Sequence, residues 1–370
     1  MVGNIFCRKH QTHMGNGRVS VLFLLLLLPL PTVLSWGKEG HYAICKITQE
    51  YLSEDALFAV KQLLPDSAEG DLAAVCSWAD EIRRSYHYRW SSALHYVDTP
   101  DFKCNYEYCI YPNKTFNYSM VMHFINYYDV SFVILVGDCH DSSKSRHKHR
   151  CVTGAIYNYT MQLKSTNAGI SSGLNYNLTE ALMFLSHFVG DVHQPLHVGF
   201  TGDLGGNSIT VRWYRRKTNL HHVWDDMIIQ SALKTFYDSD LSIMIQAIQR
   251  NITDNWSTDV SIWEHCAYNY TACPDWYASE SISLACKFAY RNATPGSTLG
   301  DEYFLSRLPI VEKRLAQGGL RLAAILNRRV IDNGTPLKKD QHGSFPLHGT
   351  IDTFTPYAEK MQYEYGEKPN

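Results

Sequence analysis

Residues 186–197 read Ser-His-Phe-Val-Gly-Asp-Val-His-Gln-Pro-Leu-His and close an apolar run with helical periodicity. The periodicity predicts a helix over 178–192, which Pro195 ends. His187 and Asp191 are four residues apart and therefore share one face of that helix. Imidazole nitrogen and carboxylate oxygen both bind zinc, and a carboxylate can bridge two ions. The run indicates a metal site, with His197 just past the proline, although one such pair also occurs in helices that bind nothing.

A second His/Asp pair with the same spacing lies in the segment Leu220-His-His-Val-Trp-Asp225. His221 and Asp225 share one helix face. His222 points to another face and is interpreted as a bystander. Two such pairs in one helical chain are harder to attribute to chance than one, so the pattern extends the metal-site hypothesis to a second segment.

Further candidates lie upstream of these pairs. Asp80 follows Trp78 and Ala79 in a predicted amphipathic helix, and a buried carboxylate needs a partner. His95 could share a metal with Asp80, and Asp98 is near enough in sequence to serve a bound water. Taken singly, each of these residues is more often structural than catalytic.

The first 35 residues have the pattern of a secretory signal peptide. Basic residues precede an apolar run at 19–30, and Val33 and Ser35 are small enough for cleavage before Trp36. The run is short for a membrane span, and a signal anchor is the alternative. Cleavage would free the amino group of Trp36, which can chelate a metal together with its own carbonyl, and His41 could complete that site. The alternative is an ordinary N-terminus with a surface histidine.

The composition agrees with a secreted globular chain. Apolar residues make up 45%, and a formal net charge of -2 gives no global basic field, so any nucleic-acid contact would be local. There are 17 histidines, and nine of the ten cysteines follow the signal, which suggests disulfides and one odd thiol. Sequons for N-glycosylation occur at Asn113, Asn117, Asn158, Asn177, Asn251, Asn255, Asn269, Asn292 and Asn333.

The mature chain is predicted to be all-α, one mainly helical domain over 36–329 with a small β-hairpin. The predicted helices span 40–52, 54–64, 71–85, 152–166, 178–192, 223–236, 239–249, 275–290 and 301–328. Alternation over 207–214 predicts a strand, and 215–218 is a turn candidate. The aromatic stretch 110–137 has no clear period, and the polar residues 330–370 are expected to form a loose, disordered tail.

Together these segments resemble the plant bifunctional nucleases and the fungal single-strand nucleases, zinc-dependent endonucleases that share their fold with bacterial zinc phospholipase C. The matching segments are Trp36-Gly-Lys-Glu-Gly-His41, Trp78-Ala-Asp80-Glu-Ile-Arg83, Leu94-His95-Tyr-Val-Asp98-Thr-Pro, 187–197, Gly205-Gly-Asn207 and Asn219-Leu-His221-His-Val-Trp-Asp225. The similarity covers about residues 36–109 and 138–328, with all nine metal positions filled at the family's spacing.

The resemblance implies three zinc ions per chain, whose ligands are shared among three sites. The first site would comprise Asp80, His95, His187 and Asp191, the second His197, His221 and Asp225, and the third the Trp36 amino and carbonyl groups, His41 and Asp191. Such clustered cations would lower the pKa of a bridging water.

Four further residues match substrate-handling positions of the family. Asp98 resembles the residue that orients the attacking water, and Arg83 resembles one that meets the phosphate. Lys103 lies near a substrate-contact position. Asp226 stands where many relatives carry Asn beside the nucleobase pocket, so the base preference of those relatives does not carry over to this chain.

The resemblance also implies the substrates, the location and the disulfides. Single-stranded DNA, RNA and 3′-mononucleotides would be hydrolysed to products with 5′-phosphates, by an extracellular or vacuolar monomer with no membrane anchor. The implied disulfides are Cys45–Cys76, Cys104–Cys286, Cys139–Cys151 and Cys266–Cys273, with Cys109 free.

The chain departs from the plant relatives between Cys104 and Cys139, where about 28 residues intervene. Our hypothesis is an intron read through in frame or a tolerated surface loop, and the insert could crowd the cleft near Asp98. The basic turn 212–217 could guide a phosphate backbone or be a solvated hairpin tip. Two other functions stay open, a phospholipase C-like phosphodiesterase and an inactive secreted zinc-binding isoform.

Overall fold

The computed structural model describes residues 36–106, 151–165, 176–266 and 271–331. Eleven α-helices occur in these ranges: α1 Lys38–Glu50, α2 Glu54–Leu63, α3 Trp78–Ile82, α4 Val152–Ser165, α5 Leu178–His193, α6 Leu220–His222, α7 Ile228–Phe236, α8 Leu241–Asp254, α9 Ser257–Glu264, α10 Pro274–Leu284 and α11 Asp301–Ile331. The mainly helical prediction is therefore confirmed. The predicted signal peptide and the insert 110–137 lie outside the described residues. So does the predicted tail 330–370 after residue 331; its first two residues continue α11 and are helical, contrary to the prediction.

Helix α5 lies at the centre of the fold. Its residues from Ala181 to His193 are all buried, and it packs against α1, α4, α10 and α11. A helix that is buried on every side must be surrounded by other helices, which explains its apolar composition. The side chain of Asn177 accepts a hydrogen bond from the Glu180 amide at its start, and Pro195 follows its end. The predicted boundaries of this helix are thus confirmed within two residues.

A buried ionic network holds the C-terminal end of α5 against α10 and α11. The Arg314 guanidinium donates to the carbonyl of His193 (3.0 Å) and to Glu280 (2.8 Å). Arg321 donates to both oxygens of Glu280, and its Nη1 lies 2.9 Å from His193 Nε2. Because the two arginines are almost fully buried, the shared carboxylate compensates their charge. The network fixes the turn that follows α5.

The predicted helix 71–85 is wrong as a single element. The chain instead forms a 3₁₀ turn at Leu72–Val75 and the short helix α3, with Cys76 between them. Cys76 is joined to Cys45 of α1, and its carbonyl accepts from the His187 ring instead of extending a helix. These long-range contacts override the local periodicity.

The hairpin is present but shorter and more complex than predicted. Strand β1 Thr210–Trp213 pairs antiparallel with β2 Arg216–Asn219, from Thr210 opposite Asn219 to Trp213 opposite Arg216. A turn was expected at 215–218, but residues 216–218 belong to β2, so this prediction is wrong for them. The chain reverses direction at Tyr214, whose φ is 53°. A third strand, β3 Thr298–Leu299, pairs parallel to β1 and was not predicted.

The described residues contain three disulfides: Cys45–Cys76, Cys104–Cys286 and Cys266–Cys273. They are three of the four pairs implied by the resemblance, and Cys139 and Cys109 lie outside the described residues. Among the helices described, none has the length and apolar character needed to cross a membrane.

The sequons differ in accessibility. Asn177, Asn255 and Asn292 are exposed, whereas Asn158 and Asn251 are half-buried. The sequons at Asn113, Asn117, Asn269 and Asn333 lie outside the described residues.

Candidate metal centre

Asp191 lies at the centre of a buried cluster of histidines. Its Oδ2 is 2.9 Å from His95 Nδ1 and 3.3 Å from His187 Nε2, and its Oδ1 is 3.4 Å from His41 Nε2. All four side chains are fully buried. Because α5 carries both His187 and Asp191 on one face, the predicted pair points into the same space. The geometry agrees with a carboxylate shared by two metal sites.

Asp80 completes the first group of ligands. Its Oδ1 lies 3.6 Å from His95 Nδ1 and 3.7 Å from His187 Nε2, and it is contacted by Arg83 Nη2 at 3.2 Å. Helix α3 therefore carries the carboxylate to the face of α5 that holds His187. The four residues expected at the first site are together in the structure.

The second group comprises His197, His221 and Asp225. Asp225 Oδ1 is 3.7 Å from His197 Nε2, and Asp225 Oδ2 is 3.4 Å from His221 Nε2. His197 follows α5 in a 3₁₀ turn, whereas His221 and Asp225 lie on either side of the junction between α6 and a π-helical turn at Val223–Met227. One atom from each residue lies within 4.8 Å of the others, which is compatible with one shared ion.

Backbone carbonyls fix the ring orientation of three histidines. The Nδ1 atoms of His187, His197 and His221 lie 2.8, 2.7 and 2.6 Å from the carbonyls of Cys76, His95 and Gly205. A carbonyl can only accept, so each Nδ1 carries the hydrogen and each neutral ring presents the lone pair of Nε2 to the cluster. Such contacts set the tautomer of metal-binding histidines.

The donor set fits metal ions. Both oxygens of Asp191 and the Nε2 atom of His197 are buried, and their polar neighbours are other side chains of the two ligand groups. Burial of such acceptors is costly unless a cation or a donor compensates it. A donor set of imidazole nitrogens and carboxylate oxygens, without a thiolate, is typical of catalytic zinc sites.

Burial also keeps ring nitrogens available. Desolvation lowers the pKa of His41 to about 4, with the charge of His187 adding to the effect, and desolvation lowers the pKa of His95 to about 4. Both rings are therefore neutral at pH 7 and offer lone pairs. Burial raises the pKa of Asp225 to about 7, so a bound cation would help to keep this carboxylate ionised.

The mature N-terminus predicted from the sequence packs against the same centre. Trp36 is fully buried, and the Gly37 amide donates to the carbonyl of Asp225 at 2.9 Å. The His41 ring stacks on that of His187, with centroids 3.9 Å apart. The structure thus brings the residues expected at the third site against the first two groups.

Gly190 gives His41 the space it needs. A β-carbon at this position would lie 2.7 Å from His41 Nδ1 and 2.8 Å from Cε1. We expect Gly190→Ala to displace the ring, to lower the metal content and to reduce hydrolysis about 10- to 100-fold. Metal analysis and an assay on denatured DNA check this.

The matched control for Gly190→Ala is Gly300→Ala, whose β-carbon would meet nothing within 4 Å. Gly190 lies within a helix, where alanine is intrinsically more favourable than glycine. A loss of metal or activity in Gly190→Ala could therefore not be attributed to helix propensity. Unchanged metal content in Gly190→Ala would contradict the proposed role of His41.

Of the other predicted site residues, Arg83 contacts a ligand and Asp98 follows a residue bound to one. Asp98 is half-buried between two anchored residues, since Val97 donates to the His197 carbonyl and Thr99 to the Gly199 carbonyl, both at 2.8 Å. Arg83 is buried against Asp80, as described above. Lys103 is half-buried in a turn that returns to Pro100.

Asp226 is held between two neighbours. It lies 2.8 Å from His222 Nδ1, and a β-carbon at Gly37 would almost coincide with its Oδ1. His222 was interpreted as a bystander, and it contacts this predicted substrate-binding residue. The Asp226 hydrogen bond, with a smaller contribution from its charge, raises the pKa of His222, whose partial burial opposes the shift.

One residue of the centre, Gln194, was not predicted from the sequence. The side-chain amide of Gln194 donates to Asp225 Oδ1 at 2.6 Å and is fully buried. This contact orients the carboxylate toward His221, as outer contacts of metal ligands do. The sequence gives one signal for this role: Gln194 carries a side-chain amide and lies between His193 and Pro195, in the run that contains His187, Asp191 and His197.

Comparisons with known proteins identify the family of the chain. Residues 36–330 match the family described as S1/P1 Nuclease. The chain is 62% identical to Endonuclease 4 of Arabidopsis thaliana over an alignment of 305 residues. The alignment covers 82% of this chain and 92% of that protein. The chain is 29% identical to Nuclease P1 of Penicillium citrinum (79% of this chain, 97% of that protein) and 27% identical to Nuclease S1 of Aspergillus oryzae (79% and 91%). The chain belongs to the S1/P1 nuclease family.

Proposed function

We propose that the chain is a secreted, zinc-dependent endonuclease that cleaves single-stranded DNA and RNA to products with 5′-phosphates and that also removes phosphate from 3′-mononucleotides. The observation that carries the proposal is the convergence of Asp191 with three buried histidines, within 3.4 Å of ring nitrogens of His41, His95 and His187. Family membership supports the reaction class.

The ligand assignment follows the three groups described above. The first zinc would be held by Asp80, His95, His187 and Asp191, the second by His197, His221 and Asp225, and the third by the amino and carbonyl groups of Trp36, His41 and Asp191. When bound, zinc supplies a water of lowered pKa and neutralises charge on the phosphoryl oxygens.

The protein residues position the reactants. Asp98, at the edge of the cluster, is the candidate to accept a hydrogen bond from the attacking water and align its oxygen with phosphorus. As the oxygen of the water bonds to phosphorus, the bond from phosphorus to the 3′ oxygen breaks. One proton of the water ends on the released 3′ hydroxyl, and the phosphate stays on the 5′ oxygen of the next nucleoside. Arg83, charged and beside Asp80, is placed to contact a non-bridging oxygen of the phosphate.

Burial of the centre favours single strands. Every expected side-chain ligand is at most 8% exposed. A base-paired strand holds its phosphates on a broad helical surface, whereas a single strand can bend a phosphodiester into a recess and unstack its bases. We therefore expect denatured DNA and RNA to be cleaved far faster than duplex DNA.

The deciding experiment combines metal analysis with assays on the mature chain. We expect three zinc ions per chain and release of nucleotides from denatured DNA. Release of phosphocholine from lipid without nuclease activity would instead indicate the phospholipase C-like alternative. No hydrolysis of either substrate by a zinc-loaded, correctly processed chain would indicate an inactive zinc-binding protein. Sedimentation would test the expected monomer.

Deletion of residues 110–137 should preserve the fold and keep or increase activity. The described residues on either side contact each other, since Tyr106 Oη lies 3.1 Å from Thr153 Oγ1 and the Val152 amide donates to the Tyr96 carbonyl at 3.0 Å. A shorter connection can therefore close this gap, and long loops add little to stability. Thermal unfolding and initial rates on denatured DNA check the variant, and failure of the shortened chain to fold would show that the insert is structural.

A further inference from the structure

Two loops beside the metal centre form one connected surface, which we call the loop pair (residues 99–104 and 200–205). Thr99 bridges to Phe200 in parallel, and the Thr201 amide donates to the Thr99 carbonyl at 2.9 Å. Asp101 Oδ1 accepts from the Gly202 amide at 2.7 Å, and Cys104 is joined to Cys286. The loop pair is thus held at several points along its length.

The loop pair is tied to the second group of metal ligands at both ends. Val97 precedes it and donates to the His197 carbonyl at 2.8 Å. Gly205 closes it and accepts from His221 Nδ1 at 2.6 Å. Asp98 lies immediately before the first loop. A strand whose phosphate reaches the centre beside Asp98 must therefore run close to the loop pair.

Phe102 is the unusual residue of this surface. Its side chain is 89% exposed, and its φ of 63° lies in the left-handed region that bulky residues rarely adopt. Leu204 on the other loop has the same combination, with 60% exposure and φ 56°. Backbone strain together with exposed apolar area is unfavourable for the isolated protein and is concentrated where ligands bind.

The Phe102 ring lies beside a pair of stacked aromatic rings. Its centroid is 6.0 Å from that of Phe200, at an interplanar angle of 45°, and Phe200 stacks on Tyr290 at 4.6 Å with an interplanar angle of 7°. The Tyr290 hydroxyl accepts from the Phe200 amide and donates to Asp203. The Phe200–Tyr290 pair is therefore anchored beneath the loop pair, and the neighbouring Phe102 ring is open to solvent.

We propose that Phe102 is a stacking platform for an unpaired nucleobase of the substrate strand, one or more nucleotides away from the phosphodiester that is cleaved. The inference rests on the proposed nuclease function and adds a substrate subsite to it. Every nucleobase has a flat π surface, so an exposed ring binds single strands with little sequence preference. Base pairing in a duplex hides that surface, so the platform also favours single strands.

The test compares Phe102→Ala with the wild-type protein on two substrates. Alanine keeps the β-carbon and therefore the same backbone preference, while it removes the ring. We expect KM for an oligodeoxythymidine of ten nucleotides to rise about tenfold, with kcat little changed. Kinetics on 3′-AMP, which has no second base, should stay within about twofold, and Phe102→Trp should restore the oligonucleotide KM. Phe58→Ala is the control, because Phe58 on α2 is 67% exposed but is not part of the loop pair.

The outcomes separate the two proposals. If the wild-type protein hydrolyses neither substrate, the nuclease function itself fails. If the wild-type protein is active and Phe102→Ala leaves the oligonucleotide KM unchanged, the platform is wrong. An equal loss on both substrates would also overturn it, because it would place Phe102 at the reacting nucleotide or in support of Asp98.

Discussion

Asp191→Asn should lower kcat/KM on denatured DNA by about 10³-fold or more, because we assign this carboxylate to both the first and the third proposed metal sites. Its oxygens lie between His41, His95 and His187 at 2.9–3.4 Å. An amide has no negative charge and only one oxygen, so it cannot bridge two cations. A loss of several kcal/mol of transition-state stabilisation corresponds to a rate effect of this size. Metal analysis should show at least one ion fewer per chain.

The control for Asp191→Asn is Asp238→Asn, at an exposed position with φ 50° that asparagine also accepts. We expect wild-type activity and metal content from it. Chelation should lower the thermal stability of the wild-type protein more than that of Asp191→Asn, since ligand binding stabilises only the state that binds. Full activity of Asp191→Asn would exclude a bridging role for this carboxylate.

A single additional residue before Trp36 should remove the third metal ion and reduce activity by about 10²-fold or more. The added residue converts the terminal amine into a peptide amide, whose nitrogen lone pair is delocalised into the carbonyl and cannot bind a cation. It must also fit beside a fully buried tryptophan, next to the hydrogen bond from Gly37 to the Asp225 carbonyl. Metal content and hydrolysis of denatured DNA are the measurements.

The matched control carries the same extension ahead of a protease site that leaves Trp36 as the first residue after cleavage. Treatment with the protease should restore both the metal ion and the activity. Three zinc ions and full activity in the uncleaved variant would refute a role for the terminal amine.

Sequence periodicity correctly predicted the helices whose limits are determined by residues close in sequence. Helix α5 is capped by Asn177, has apolar residues around most of its circumference and is followed by Pro195. Its boundaries can therefore be predicted from the local sequence. The break at Cys76 and the strand β3 depend on partners far away in sequence, and neither leaves a local pattern. The same distinction explains the site, because its ligands were found from paired spacings and from the resemblance, whereas Gln194 was missed because only the tertiary contact with Asp225 gives it a role.

The resemblance contributed what spacing alone could not. Asp80 and His95 lie on separate segments and share no sequence period, yet their ligand atoms are 3.6 Å apart. The assignment of Phe102 required the fold, since neither its exposure nor its backbone conformation can be read from the sequence.

The carbonyl contacts of His187, His197 and His221 have a consequence for how the protein matures. Each acceptor carbonyl belongs to the backbone, so the rings are aimed by the folded chain and not by the ions. With secretion and three zinc ions as proposed, folding and oxidation of the cysteines would not have to wait for the metal. Removal of the proposed signal would have to come before the third ion binds, so N-terminal processing would time the appearance of a destructive activity.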